Sequence, residues 1–124
     1  RVARLERLAF SRLQGSLPAT VRLAEFIDGF REYVEDGQRT CLLMVFREGA
    51  AGAQHGETIA SQYVDWQGRL AATYEELGQK PKRAERSAAE LLSGLYGALV
   101  TARLTASPST FKRQAKRLKK TQAA

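Results

Sequence analysis

Cys41 and His55 are the only cysteine and the only histidine in the chain, so thiolate or imidazole chemistry would have to be built around them. A thiolate nucleophile needs a base within hydrogen-bond reach, a group that orients the base, and donors for the developing charge. Sequence separation alone leaves a Cys41–His55 pair open, yet nothing beside either residue supplies an orienting group or an oxyanion site. A zinc site needs several converging thiolates or imidazoles, which one of each does not provide. Glu57, Asp65, Glu75 and Glu76 have the placing of ordinary exposed helix charges, and no acid interrupts an apolar stripe. The stretch 49–56, GAAGAQHG, is glycine-rich but lacks the Gly-Lys-Ser/Thr ending of a phosphate loop. It reads as a flexible loop or a frayed helix end. No enzymatic activity, cofactor or metal is expected.

Binding chemistry is better represented. Phe26, Phe30, Tyr33, Met44, Phe46, Tyr63, Trp66 and Tyr96 are large side chains spread over separate segments. Aromatic rings with polar tips and a pliable methionine suit a site for apolar ligands of variable shape. Cys41 and Leu70 fall in the same segments, and Gln62 or Gln67 beside Trp66 could orient a ligand by a hydrogen bond. The same residues are also the ones that fill a core, and sequence leaves both uses open.

Charge is the second feature. The net charge is +7, and Lys112, Arg113, Lys116, Arg117, Lys119 and Lys120 supply six of those charges with no acid among them, leaving +1 for residues 1–111. The basic character therefore belongs to one terminal segment. Such a run is either a solvated helix face or a contact for nucleic acid or an anionic membrane. No aromatic residue interleaves with the charges, which argues against stacking on single strands.

These residues need elements to hold them, and the spacing is helical almost throughout. At 124 residues and 44% apolar content, a single domain with a real core is expected over 1–124. Residues 2–14 read as one helix, with Val2, Leu5, Leu8, Ala9 and Leu13 inward and Gly15-Ser16 breaking it. A second helix begins near Pro18, with Ser16 as a possible cap. Leu17, Val21, Ala24, Ile27 and Val34 mark its buried face together with Phe26, Phe30 and Tyr33, and Asp36-Gly37 ends it. Residues 41–47, CLLMVFR, form a continuous apolar run read as a short helix, because no partner strand is visible. Residues 57–77 form a long helix carrying Ile59, Tyr63, Trp66, Leu70, Tyr74 or Ala71, and Leu77; it stops at Gly78. Residues 79–82 then lead to a helix over 87–104, and Ser107-Pro108 opens the last one. The expected fold is an all-α bundle of five to six helices.

The helix over 87–104 organises the rest. Its apolar stripe, including Leu91, Leu95, Ala98 and Ala102, is wider than one buried side requires. Gly94 and Gly97 each cost ~1 kcal/mol relative to alanine in a helix interior, a loss that close approach of another backbone offsets. Leu91 and Leu95, with Phe111, Ala115 and Leu118 of the last helix, would expose a large apolar patch on a monomer. Two copies about a two-fold axis would bury it.

GLYGALVTARL followed by SPSTFKRQAKRLKK resembles the last two helices of the tetracycline-repressor (TetR) family of transcriptional regulators. The likeness is carried by Leu95-Tyr96-Gly97-Ala98-Leu99, Ala102-Arg103, Phe111 and Leu118. Thr40 stands where the family often has glycine before Cys41. The resemblance implies a homodimer through these two helices, with Leu91, Gly94, Leu95, Gly97, Ala98, Ala102, Phe111, Ala115 and Leu118 at the interface. It also implies a small apolar or aromatic effector between the middle helices, near Phe26, Phe30, Tyr33, Cys41, Met44, Tyr63, Trp66, Gln67, Leu70 and Tyr96. Effector binding would release a repressor from DNA. DNA would be read only by a helix-turn-helix module preceding this chain, which begins without methionine and reads as part of a longer protein. The lone cysteine and the lack of an apolar leader fit a cytoplasmic protein with no membrane contact. The competing expectation is a stand-alone helical interaction module whose basic last helix docks on an acidic partner or membrane surface.

Overall fold

The computed structural model describes residues 2–38 and 52–123. Among them lie five α-helices: α1 (Val2–Leu8), α2 (Ala19–Tyr33), α3 (Gly52–Glu76), α4 (Pro81–Leu104) and α5 (Pro108–Ala123). No strand occurs among the described residues, and the fold is all-α. The apolar run at 41–47 lies outside the described residues.

The first segment is not one continuous helix. It breaks at Ala9 and resumes as a 3-10 turn, Phe10–Leu13. The break lies where α2 presses on it: a Cβ at Gly29 would sit 1.9 Å from the Leu8 carbonyl oxygen and 2.8 Å from Ala9 Cα. Only glycine permits that approach. The kink turns Phe10 inward, where it stacks on Trp66 at 4.9 Å and meets Phe26 edge-on at 4.9 Å.

The buried face of α2 is rotated from the expected one. Leu17 and Val21 are exposed and Ala24 is half-buried, while Ala19, Arg22, Leu23, Phe26, Ile27, Phe30 and Tyr33 face inward. Ser16 makes no side-chain cap, and Pro18 takes the capping position. After α2, Glu35, Asp36 and Gly37 all have positive φ. Arg31 donates to the Asp36 carboxylate at 2.8 Å, and a Cβ at Gly37 would lie 2.7 Å from Phe111 Cβ. This tight turn is thereby seated on α5.

Helix α3 starts at Gly52, earlier than residue 57, so part of the glycine-rich stretch is helical. Trp66, Leu70, Ala71 and Tyr74 are buried, but Leu77 is exposed beyond the helix end. Gly78, with φ +95, closes α3: its N–H donates to Glu75 O, and Gln79 N–H reaches back to Tyr74 O. These two bonds satisfy carbonyls that the helix end leaves open. Pro81 begins α4 and so belongs to the helix, not to the connection before it. Helix α4 lies between α3 and α5, while α2 packs on α5 and on the kinked first segment. Their buried residues join in one cluster.

Candidate functional site

Helix α2 brings Phe26, Phe30 and Tyr33 to the centre, α3 brings Tyr63, Trp66, Gln67 and Leu70, and α4 brings Tyr96. They gather around two hubs. Phe10 joins Phe26 to Trp66. Phe30 meets Tyr96 edge-on at 5.4 Å, Tyr33 at 6.4 Å and Phe111 at 6.3 Å, and Tyr63 lies 5.9 Å from Tyr96. Phe26, Phe30, Trp66 and Leu70 are at most 1% exposed, so their surface is spent on one another. Tyr63 and Gln67 are half-buried and border the core. Cys41, Met44 and Phe46 lie outside the described residues.

Polar groups beside the rings already have partners. Trp66 Nε1 donates to Glu6 Oε2 at 3.3 Å, Gln62 Nε2 donates to the same oxygen at 3.5 Å, and Arg69 pairs with Glu6 Oε1 at 3.4 Å. The Arg69 guanidinium also covers the Phe10 ring at 5.2 Å. Among the described residues no group of three or more His, Cys, Asp or Glu side chains could hold a metal ion.

The α4–α5 pair differs from expectation in one respect. Leu91, Leu95, Ala98, Ala102, Phe111 and Ala115 are all buried within the chain itself, because α5 lays its apolar edge on α2 and α4. They do not form the exposed patch expected of a monomer. Gly94 serves this internal packing: a Cβ there would lie 3.1 Å from Leu118 Cδ1. Gly97 does not. It is exposed, and a Cβ there would meet nothing within 4 Å among the described residues. It lies in a shallow cleft of about 290 Å³ lined by Ser93, Gly94, Gly97, Ala98, Thr101, Thr110 and Gln114. Hydroxyls, one amide and bare helix backbone make up that wall, with no titratable side chain. It suits close packing and hydrogen bonding, not proton transfer.

A second cleft of about 290 Å³ lies between the end of α3, the start of α4 and the end of α5, with Tyr74, Arg83, Ser87, Glu90 and Gln122 among its walls. Burial, reinforced by the charge of Glu90, pushes the Tyr74 phenol up to about 12, against the opposing bond to Gln122. The phenol therefore stays protonated and donates to Gln122 Oε1 at 2.5 Å. Ser87 Oγ donates to Gln79 at 2.8 Å, so Tyr74, Ser87, Gln79 and Gln122 are paired within the cleft.

Two residues that matter structurally escaped the sequence reading. Phe10 was hidden by the break at Ala9, which places it off the face of a continuous helix. Arg22 did leave a signal: it precedes Leu23 and lies four residues before Phe26, on the apolar stripe. It donates to Leu17 O and Leu13 O, each at 2.7 Å, and grips both carboxylate oxygens of Glu76. The hydrogen bond to Glu76 raises the Arg22 pKa, and its reciprocal lowers that of Glu76.

Five of the six basic residues of α5 point to solvent: Lys112, Arg113, Lys116, Arg117 and Lys120. Lys119 is half-buried and paired with Asp28 at 2.8 Å. No helix among the described residues is long and apolar enough to cross a membrane. No protein-family model, no curated protein and no solved structure matches the chain.

Proposed function

We propose that this chain is the effector-sensing, dimerising domain of a TetR-like transcriptional regulator, a repressor released from DNA when a small apolar ligand binds. The observation that carries the reading is Gly97. A glycine in the middle of a 24-residue helix is costly, and the packing of the described residues gives no reason for it. A second copy supplies one, because α4 and α5 together present a shallow cleft walled by Ser93, Gly97, Thr101 and Gln114, which another backbone can approach closely. The all-α order, ending in two long helices joined by a three-residue turn, agrees with the resemblance at residues 94–120. The effector would be sensed beside the buried Tyr96, where the half-buried Tyr63 and Gln67 border the aromatic cluster. Sequence-specific operator recognition in this reading belongs to a helix-turn-helix module outside the described residues, and the compartment is the cytoplasm.

Sedimentation at micromolar concentration tests the dimer. The chain is expected to sediment as two copies, and Gly97→Trp as one copy with an unchanged helical spectrum, since a Cβ at this exposed position meets nothing within 4 Å among the described residues. A monomeric parent chain overturns the proposal. Native mass spectrometry of the purified chain tests the effector: a co-purified apolar molecule is expected, and its loss in Tyr96→Ala would tie it to the aromatic cluster.

A further inference from the structure

The outward face of α5 is a cationic ridge with no internal use, and its geometry points to the phosphate backbone of duplex nucleic acid as its partner. Lys112, Arg113, Lys116, Arg117 and Lys120 form no ion pair among the described residues; Arg113 alone makes a side-chain bond, to Ser109 one turn earlier. The paired acids are committed elsewhere: Glu6 to Arg69, Glu32 to Arg12, Asp36 to Arg31, Glu76 to Arg22, and Asp28 to Arg31 and Lys119. Nothing acidic on α5 itself offsets the five.

Spacing and shape select the partner. The five cations occupy about 12 Å of helix axis and spread over an arc of about 140° opposite Phe111 and Ala115, with Lys112 and Arg117 at its edges. A duplex carries a phosphate charge for about every 1.7 Å of its length, so a comparable number of phosphates faces the ridge. A convex ridge with cations on both flanks matches a groove about 12 Å wide between two phosphate rows better than it matches a plane of lipid headgroups. A bilayer also lacks its usual hold. Interfacial helices anchor through an apolar face, and here Phe111 and Ala115 are fully buried in the core. Single strands are disfavoured for want of any aromatic on the ridge. The inference goes beyond the regulator reading and does not depend on dimerisation.

The test is fluorescence anisotropy with a duplex DNA of arbitrary sequence, about 20 base pairs long, using the full chain. Binding is expected at about 50 mM salt and about 500-fold weaker binding at about 200 mM, the loss that five neutralised phosphates imply. Lys112→Gln/Lys116→Gln/Lys120→Gln should cut the salt slope by more than half with an unchanged melting curve, because all three side chains are exposed. Lys82→Gln/Arg83→Gln/Arg86→Gln makes the same change in net charge on exposed positions of α4 and should leave the affinity within a few-fold. No duplex binding at the lower salt, or equal losses in the two triple variants, overturns the inference. So does binding to phosphatidylserine-containing vesicles or to polyglutamate that is as tight as binding to the duplex.

Discussion

Arg22 carries a charge into the protein because its donors are matched: two carbonyls before α2 and one carboxylate at the end of α3. A guanidinium fork suits such an arrangement, whereas the compact ammonium of lysine would leave part of it unfilled. The partner carboxylate makes the arrangement titratable. Glu76 has its pKa lowered in the folded chain below the usual 4.5, chiefly by the hydrogen bond from Arg22. Its stabilising contribution is therefore complete above pH 4.5 and is lost as pH falls through the lower folded value. In Glu76→Gln the unfolding midpoint should be lower near neutrality, and the gap to the parent chain should close in acid. Thermal melts across that range check it, and a gap that widens as pH falls would contradict the assignment. Arg22 stood in plain view on the apolar stripe, but a stripe with a wide arc has two edges. Hydropathy alone chose Val21 and Leu17, which are exposed, over Arg22 and Leu23. A charged residue enters the core only when remote carbonyls and acids arrive to meet it, and remote partners have no local signature.

Helix ends show where local signals suffice and where they do not. Gly78 adopts positive φ as a glycine placed just after a helix should, and was readable; Gly37 also has positive φ, but α2 ends earlier than expected, at Tyr33, and Glu35 and Asp36 turn left-handed before it. The end of α4 has the same hydrogen-bond pattern as the end of α3: Ala106 N–H donates to Arg103 O and Ser107 N–H to Ala102 O. Here the left-handed position is held by an alanine, Ala106, with φ +53. Its Cβ is strained in that conformation by roughly 1 kcal/mol, and the residue is exposed, so no contact offsets the strain. Ala106→Gly is expected to raise stability by about 0.5–1 kcal/mol, visible as a higher midpoint in denaturant with an unchanged slope. A fall in the midpoint would mean that the turn before Pro108 depends on the alanine. Gly29 is the opposite case. It sits mid-helix, where glycine reads only as a weak helix former, and its reason, the Leu8 carbonyl, belongs to another element. The same contact explains the break at Ala9, so the kink and Phe10 were illegible together. The all-α class, by contrast, followed from periodicity because four of the helices are at least 15 residues long and amphipathic.

At the scale of the molecule, the two glycines of α4 separate what the subunit needs from what an assembly would need. Gly94 is occupied by Leu118, so its small size is already explained inside the chain. Among the described residues nothing lies within 4 Å of a Cβ at Gly97, and within one copy Gly97→Ala should be favourable by about 0.5–1 kcal/mol, the ordinary gain of alanine over glycine in a helix. In a dimer that closes over this wall, the added methyl group falls at the closest approach, where overpacking costs about 1–3 kcal/mol. The two effects have opposite signs, and protein concentration selects between them. Each tenfold rise in concentration above the dissociation constant strengthens a dimer by about 1.4 kcal/mol relative to separated, unfolded chains. At low concentration the variant should therefore melt above the parent chain. As concentration rises the parent's midpoint should climb while the variant's stays nearly flat, so that the curves cross. Parallel lines, with the variant higher throughout, would mean that no copy packs on Gly97 and that its smallness serves nothing in a homodimer.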